Sequence, residues 1–248
     1  MALEEHLTKQ LAGREDFFWH RIRCEAVAGL LPRDGPFKVL DIGAGAGLFG
    51  EFLRSTLPQA AYHFVEPLEG LERSLETRFG KARNAKAELD LGAFDAVVLL
   101  DVLEHQADDR AFLAGLVGRM RPGARLVVTV PALPLLWSGW DAGLGHHRRY
   151  TRRSLRAVLR GLPVAEREIS YLFPEMIPLG LYRKIRLGDR PVATAEESHF
   201  PRLPRLLDQA LYAVGKLSFH ARRAAPAGTS LLAALDVAPR ANASQAAR

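Results

Sequence analysis

The chain has 248 residues, 48% hydrophobic and 25% charged, which is enough apolar side chain to bury a full core and too much for a disordered polypeptide. No window approaches the roughly 20 apolar residues that cross a bilayer, the N-terminus lacks the basic-then-apolar order of a secretion signal, and a cytoplasmic address is expected. The single Cys24 excludes an internal disulfide and a cysteine-rich metal site, and the net charge of +6 lies C-terminally, where residues 151–248 hold 16 Lys/Arg against 8 Asp/Glu.

Residues 3–31 read as helical, with Phe17, Phe18, Ile22, Val27 and Leu30 on an approximate apolar face and breakers at 32–36. A strand at 37–42 runs into a glycine turn, and a helix at 48–57 stops at Pro58. A second strand (61–66) and helix (68–79) follow, then a poorly marked third strand within 84–89. The unbroken apolar run 94–100 fits a parallel strand covered on both faces. A helix at 109–120 leads to a strand at 125–130, and a helix at 151–162 to strands at 164–173 and 229–237. Alternating strands and helices of this length predict an α/β fold, a doubly wound and mostly parallel seven-stranded sheet with a helical C-terminal insertion.

The chain thus divides into an N-terminal helical segment (1–36), a core (37–173), a helical insertion (174–227), a final core strand (228–237) and a flexible tail (238–248). Within the insertion, Leu203, Leu206, Leu207, Leu211, Val214 and Leu217 form a helical stripe beside Arg202, Arg205 and Lys216. Such a stripe suits a lid packed on the sheet or a surface-seeking helix.

The strongest motif is Val39-Leu-Asp41-Ile-Gly43-Ala-Gly45-Ala-Gly47, a strand ending in an acidic residue and three alternating glycines. Glycine belongs where a backbone turns sharply beside a ligand, and open α/β sheets bind ligands at strand carboxyl ends. Glu66 closes the next strand, where a carboxylate can accept both hydroxyls of a ribose. A dinucleotide fingerprint needs a third small residue where Leu48 stands. Asp41 would also repel a pyrophosphate there, whereas it can pair with an ammonium.

From Lys38 to Leu162, and more loosely from Gly228 to Ala234, the sequence resembles the class I S-adenosylmethionine-dependent methyltransferases. The resemblance implies that Asp41, Gly43, Gly45 and Gly47 wrap the methionine part of S-adenosyl-L-methionine and that Glu66 holds its ribose. It places Asp101, at a strand end, against the cofactor and the acceptor. Asn84, Glu88 and Asp90 compete for the adenine contact.

Two clusters are candidates for chemistry on the acceptor. Asp101-Val-Leu-Glu104-His105 resembles the E-x-x-E-H metal ligands of the ubiquinone-pathway O-methyltransferases, with Asp101 replacing the first glutamate. A loop-orienting role for Glu104 and His105 is preferred, and no metal is expected. After the fifth strand, Trp140 and Arg149 are expected to contact the substrate, with His146 or His147 as catalytic base. Tyr150 and Thr151 are explained by the start of a helix.

The expected function is methyl transfer, chiefly to oxygen, on a small-molecule, glycan or lipid-linked acceptor, with peripheral contact at the inner membrane surface. A cofactor-holding regulatory protein without turnover and a nucleic-acid methyltransferase are the alternatives. The second lacks an N/D-P-P-aromatic motif after the fourth strand, and Cys24 is badly placed for attack on a base carbon.

Overall fold

The computed structural model describes residue 7 and residues 17–86, 89–188 and 204–239. Most of the predicted helix before residue 17, the insertion segment with Arg202 and Leu203, and the tail from 240 lie outside the described residues.

The described part begins with α1 (Phe18–Ala28), followed by β1 (Phe37–Ile42), α2 (Leu48–Thr56), β2 (Ala60–Val65) and α3 (Glu69–Phe79). Next come β3 (Ala96–Leu100), α4 (Asp109–Val117), β4 (Arg125–Pro131), the short α5 (Gly139–Gly143) and α6 (Arg152–Leu159). The chain then forms β5 (Val164–Leu172), α7 (Ile177–Leu187), α8 (Arg205–His220) and β6 (Ser230–Val237). The strands pair in the order β2-β1-β3-β4-β6-β5, and only β6 runs against its neighbours.

Alternation along the strands explains the unbroken apolar run in β3. Val97 and Leu99 join one core beneath α4 and α6, while Ala96 and Val98 join a second core with Phe18, Phe49 and Leu53. Cys24 is buried in that second core as a small apolar residue. Thr151 caps α6, accepting a hydrogen bond from the Ser154 N–H at 3.1 Å, and Tyr150 is buried with its hydroxyl on Asp109. The chain turns to one side from the carboxyl end of β1, towards β2, and to the other from that of β3, towards β4, which opens a cleft between β1 and β3.

One expectation is corrected. Six strands, not seven, occur among the described residues, and those described within 84–89 contribute a single parallel bridge, Phe64 to Asn84. The Asn84 side-chain Oδ1 accepts from the Lys86 N–H at 3.0 Å while Nδ2 donates to Glu72 and Glu76, a local turn that competes with strand pairing. The insertion stripe divides: Leu211 packs against the second core with Tyr212 and Phe219, while Leu206, Leu207, Val214 and Leu217 stay exposed. On its inward side α8 also meets α1, where Asp208 accepts from Arg21 and from the Phe18 N–H, both at 3.0 Å. Glu25 accepts from Tyr212 and pairs with Lys216.

Candidate active site

A cavity of about 380 Å³ opens over the carboxyl ends of β1 and β3. Gly43, Gly45, Glu66 and Asp101 line it from the strand ends, and Trp140, His146 and Arg149 line it from the segment after β4. The turn after β1 has positive φ at all three glycines, +75°, +55° and +74°, a region closed to most side chains. Glu66, 2% exposed, braces this turn: Oε2 accepts from the Gly45 N–H at 2.7 Å and Oε1 from the Leu68 N–H at 3.0 Å. Gly47 faces away from the cavity, where a Cβ would meet Leu75 at 2.5 Å.

Asp41 lies under the turn, 1% exposed, with Oδ2 accepting from the Tyr62 hydroxyl at 3.0 Å and Oδ1 without a partner. Burial pushes its carboxyl up to about 7, against the bond from Tyr62. Between the ordinary value near 4 and about 7, the folded protein holds a proton that the unfolded chain has released. Stability therefore falls as pH rises through that window, by at most about 4 kcal/mol. Asp41→Asn is accordingly expected to raise the melting temperature of the cofactor-free protein at pH 8 and to change it little at pH 4. Equal shifts at both values in calorimetry would refute this account.

Asp101 ends β3 with φ +57°, a left-handed conformation that is strained for a non-glycine residue. Its carboxylate is held by the Thr129 hydroxyl at 3.1 Å and by Arg23. Across the cavity, Asp141 is fully buried at the start of α5. Its Oδ2 accepts from the Ser138 N–H at 3.1 Å, and Oδ1 accepts from His146 Nδ1 at 3.0 Å and Arg149 Nε at 2.8 Å. Burial alone would raise its carboxyl, but the bonds from His146 and Arg149 outweigh burial and hold it low. A proton on Nδ1 leaves His146 Nε2 as an acceptor, 4.0 Å from Glu104.

Glu104 is buried with both carboxylate oxygens unpartnered, and burial followed by the Asp101 charge pushes its carboxyl well up. Glu104, His105 and His146 each offer a ligand atom within 4.8 Å of the others. Burial and the neighbouring His146 lower His105 to about 4. The fold thus groups His146, rather than Asp101, with Glu104 and His105. His147 is exposed and meets Glu104 only through its backbone N–H, at 2.7 Å.

Sequence reasoning missed the contribution of α1 to this wall, through Trp19, His20 and Arg23, and that of α7 through Arg183. The signal was present in Trp19 and Arg23, an aromatic and a cation four residues apart on one helical face. Arg183 stacks over the Trp140 ring at 5.0 Å, a contact between residues 43 positions apart that no local pattern announces.

The pattern of the methyltransferase domain family matches residues 15–162, a span that includes the glycine turn, Glu66, Asp101 and the His146 loop. The chain belongs to the class I S-adenosylmethionine-dependent methyltransferase family. It is similar to the ubiquinone biosynthesis O-methyltransferase of Caulobacter vibrioides, 33% identical over 58% of this chain and 68% of that protein. Its namesake in Xanthomonas oryzae pv. oryzae is 30% identical over 44% of this chain, and this methyltransferase spans only about half, 48%, of that relative's length. Among solved structures, the complex of the Haloferax volcanii Trm112 methyltransferase activator contains a chain of the same fold, with TM-score 0.59, 16% identity and coverage of 97% and 99%. Geranyl diphosphate methyltransferase, solved with its cofactor, also shares the fold, with TM-score 0.53, 15% identity and coverage of 87% and 84%.

Proposed function

We propose that this methyltransferase methylates an oxygen of a small-molecule, glycan or lipid-linked acceptor, with His146 as the base. The observation that carries the reading is the buried Asp141–His146 pair at the cavity wall. Asp141 fixes the ring and its tautomer, and Nε2 is left to take the proton that a hydroxyl loses as its oxygen is methylated. The other wall fits S-adenosyl-L-methionine. Gly43 and Gly45 present bare backbone, and a Cβ at Gly45 would find only Leu7 nearby, at 3.4 Å. In this reading the glycine turn holds the methionine end, with Asp41 supporting the turn from beneath and Gly47 bracing it from behind, Glu66 holds the ribose and Asp101 the end nearest the acceptor. When bound, the cofactor supplies an electrophilic methyl group. Trp140 and Arg149 contact the acceptor, and the named O-methyltransferase relatives support oxygen as the accepting atom.

No helix among the described residues is long and apolar enough to cross a membrane. We place the protein in the cytoplasm, near the inner membrane surface where a lipid-linked acceptor would be met. Aqueous and lipid extracts incubated with deuteromethyl-labelled cofactor are expected to yield a labelled O-methyl product by mass spectrometry. Formation of no S-adenosylhomocysteine with any extract would favour a cofactor-holding protein without turnover, and label on nucleic acid would favour a nucleic-acid methyltransferase.

One observation favours a second reading, in which a divalent cation activates the acceptor: the unpartnered Glu104 carboxylate beside His105 and His146. The first reading predicts that chelators leave both cofactor affinity and turnover unchanged, because burial pushes the Glu104 carboxyl up and so disfavours the ionised form that a metal needs. A Mg²⁺-dependent rate that vanishes in Glu104→Ala would establish the second.

A further inference from the structure

Among the described residues eight large hydrophobic side chains are exposed, and seven of them sit on two helices. Leu181, Tyr182 and Ile185 lie on α7, and α8 carries four, led by Leu206 at 81% and Leu217 at 74% exposed. The eighth, Leu135, belongs to the turn that packs against α7. At about 100° per residue, each set falls within roughly a third of its helix circumference. These apolar strips point away from the protein: Leu179 and Arg183 of α7 line the cavity, and α8 meets α1 and the second core through its other side, with Asp208, Leu211, Tyr212 and Phe219. Ordinary surface helices turn polar residues outward instead.

The apolar strips are bordered by cations. Lys184 and Arg186 flank that of α7 and Arg205 begins α8, and none of the three pairs with a carboxylate among the described residues. An apolar strip between uncompensated cations matches acyl chains beneath phosphate-bearing headgroups. We propose that the outward sides of α7 and α8 dock this methyltransferase on an anionic lipid bilayer. This deepens the lipid-linked reading of the acceptor and rests on it for its purpose. With α7 seated in the headgroup layer, the cavity wall formed by its inner side stands at the bilayer, so a lipid-anchored acceptor reaches His146 without leaving the membrane.

The test is flotation of the full chain with vesicles of phosphatidylcholine alone or mixed with phosphatidylglycerol. Co-flotation is expected only with the mixed vesicles and is expected to be lost at raised salt, as screened charges require. Leu181→Glu combined with Ile185→Glu, and separately Leu206→Glu with Leu217→Glu, should each abolish flotation. S-adenosylhomocysteine affinity, unchanged in both, shows that the fold is intact. No flotation at low salt, equal flotation on neutral vesicles, or flotation that survives both pairs of substitutions would overturn the proposal. So would a homodimer that the same substitutions dissolve in the absence of flotation, since the face would then belong to a second copy. Flotation as expected, without methylation of any lipid-linked acceptor, would confirm the docking face while removing the proposed acceptor.

Discussion

Alanine at His146 is expected to lower turnover about 10²- to 10⁴-fold, the range spanned by a single positioned acid or base, with little change in cofactor affinity. The ring lies across the cavity from the glycine turn, so its loss leaves the proposed cofactor wall intact. Much of the rate comes from aligning the acceptor with the methyl donor, and that part survives the substitution. A hydroxyl must nevertheless lose its proton, and Nε2 is the acceptor that Asp141 holds in place. Asp141→Asn should cost most of the same factor, because an amide can stabilise the wrong tautomer and cannot balance a charged imidazolium. Turnover measured as S-adenosylhomocysteine release decides the matter. An undiminished rate in His146→Ala would move the base elsewhere and leave His146 as a wall residue.

Valine at Gly47 is expected to destabilise the fold by about 2–5 kcal/mol, combining the cost of a left-handed conformation with that of overpacking. The added Cβ would run into Leu75 at 2.5 Å, Arg78 at 3.0 Å and Phe79 at 3.2 Å, at φ +74°. All three belong to α3, so the damage is to the packing of that helix on the turn. Glu66→Ala should behave differently. It is expected to weaken cofactor binding about 10- to 100-fold, or roughly 1.5–3 kcal/mol for hydrogen bonds to a charged group, while the protein still melts cooperatively. Thermal melting and titration calorimetry separate the two outcomes. Unchanged affinity in Glu66→Ala would remove that residue from the ribose site, and a Gly47→Val protein as stable as wild type would refute the packing account.

Strand and helix order, the glycine turn and Glu66 were legible in the sequence because each depends on neighbours along the chain. Alternation, breakers and glycine spacing are local signals, and the paired elements from residue 37 to 173 follow them closely. The strand expected at 84–89, of which the described residues give a single bridge, marks the limit of that reading, since an asparagine turn and strand pairing compete there. What residues 101–105 and 137–149 do was not legible: their spacing suggested Asp101 with Glu104 and His105, whereas the fold gives Asp101 to Arg23 and Thr129 and brings His146 to Glu104. The choice between His146 and His147 likewise depended on which side chain the loop turned inward. Composition by itself determined that the C-terminal part is basic and amphipathic, but not which way its helices face. Only the tertiary structure decided that α8 seats Asp208, Leu211, Tyr212 and Lys216 inward and leaves Leu206 and Leu217 outside, because the α1 residues Arg21 and Glu25 that hold this side lie some 190 residues away in sequence.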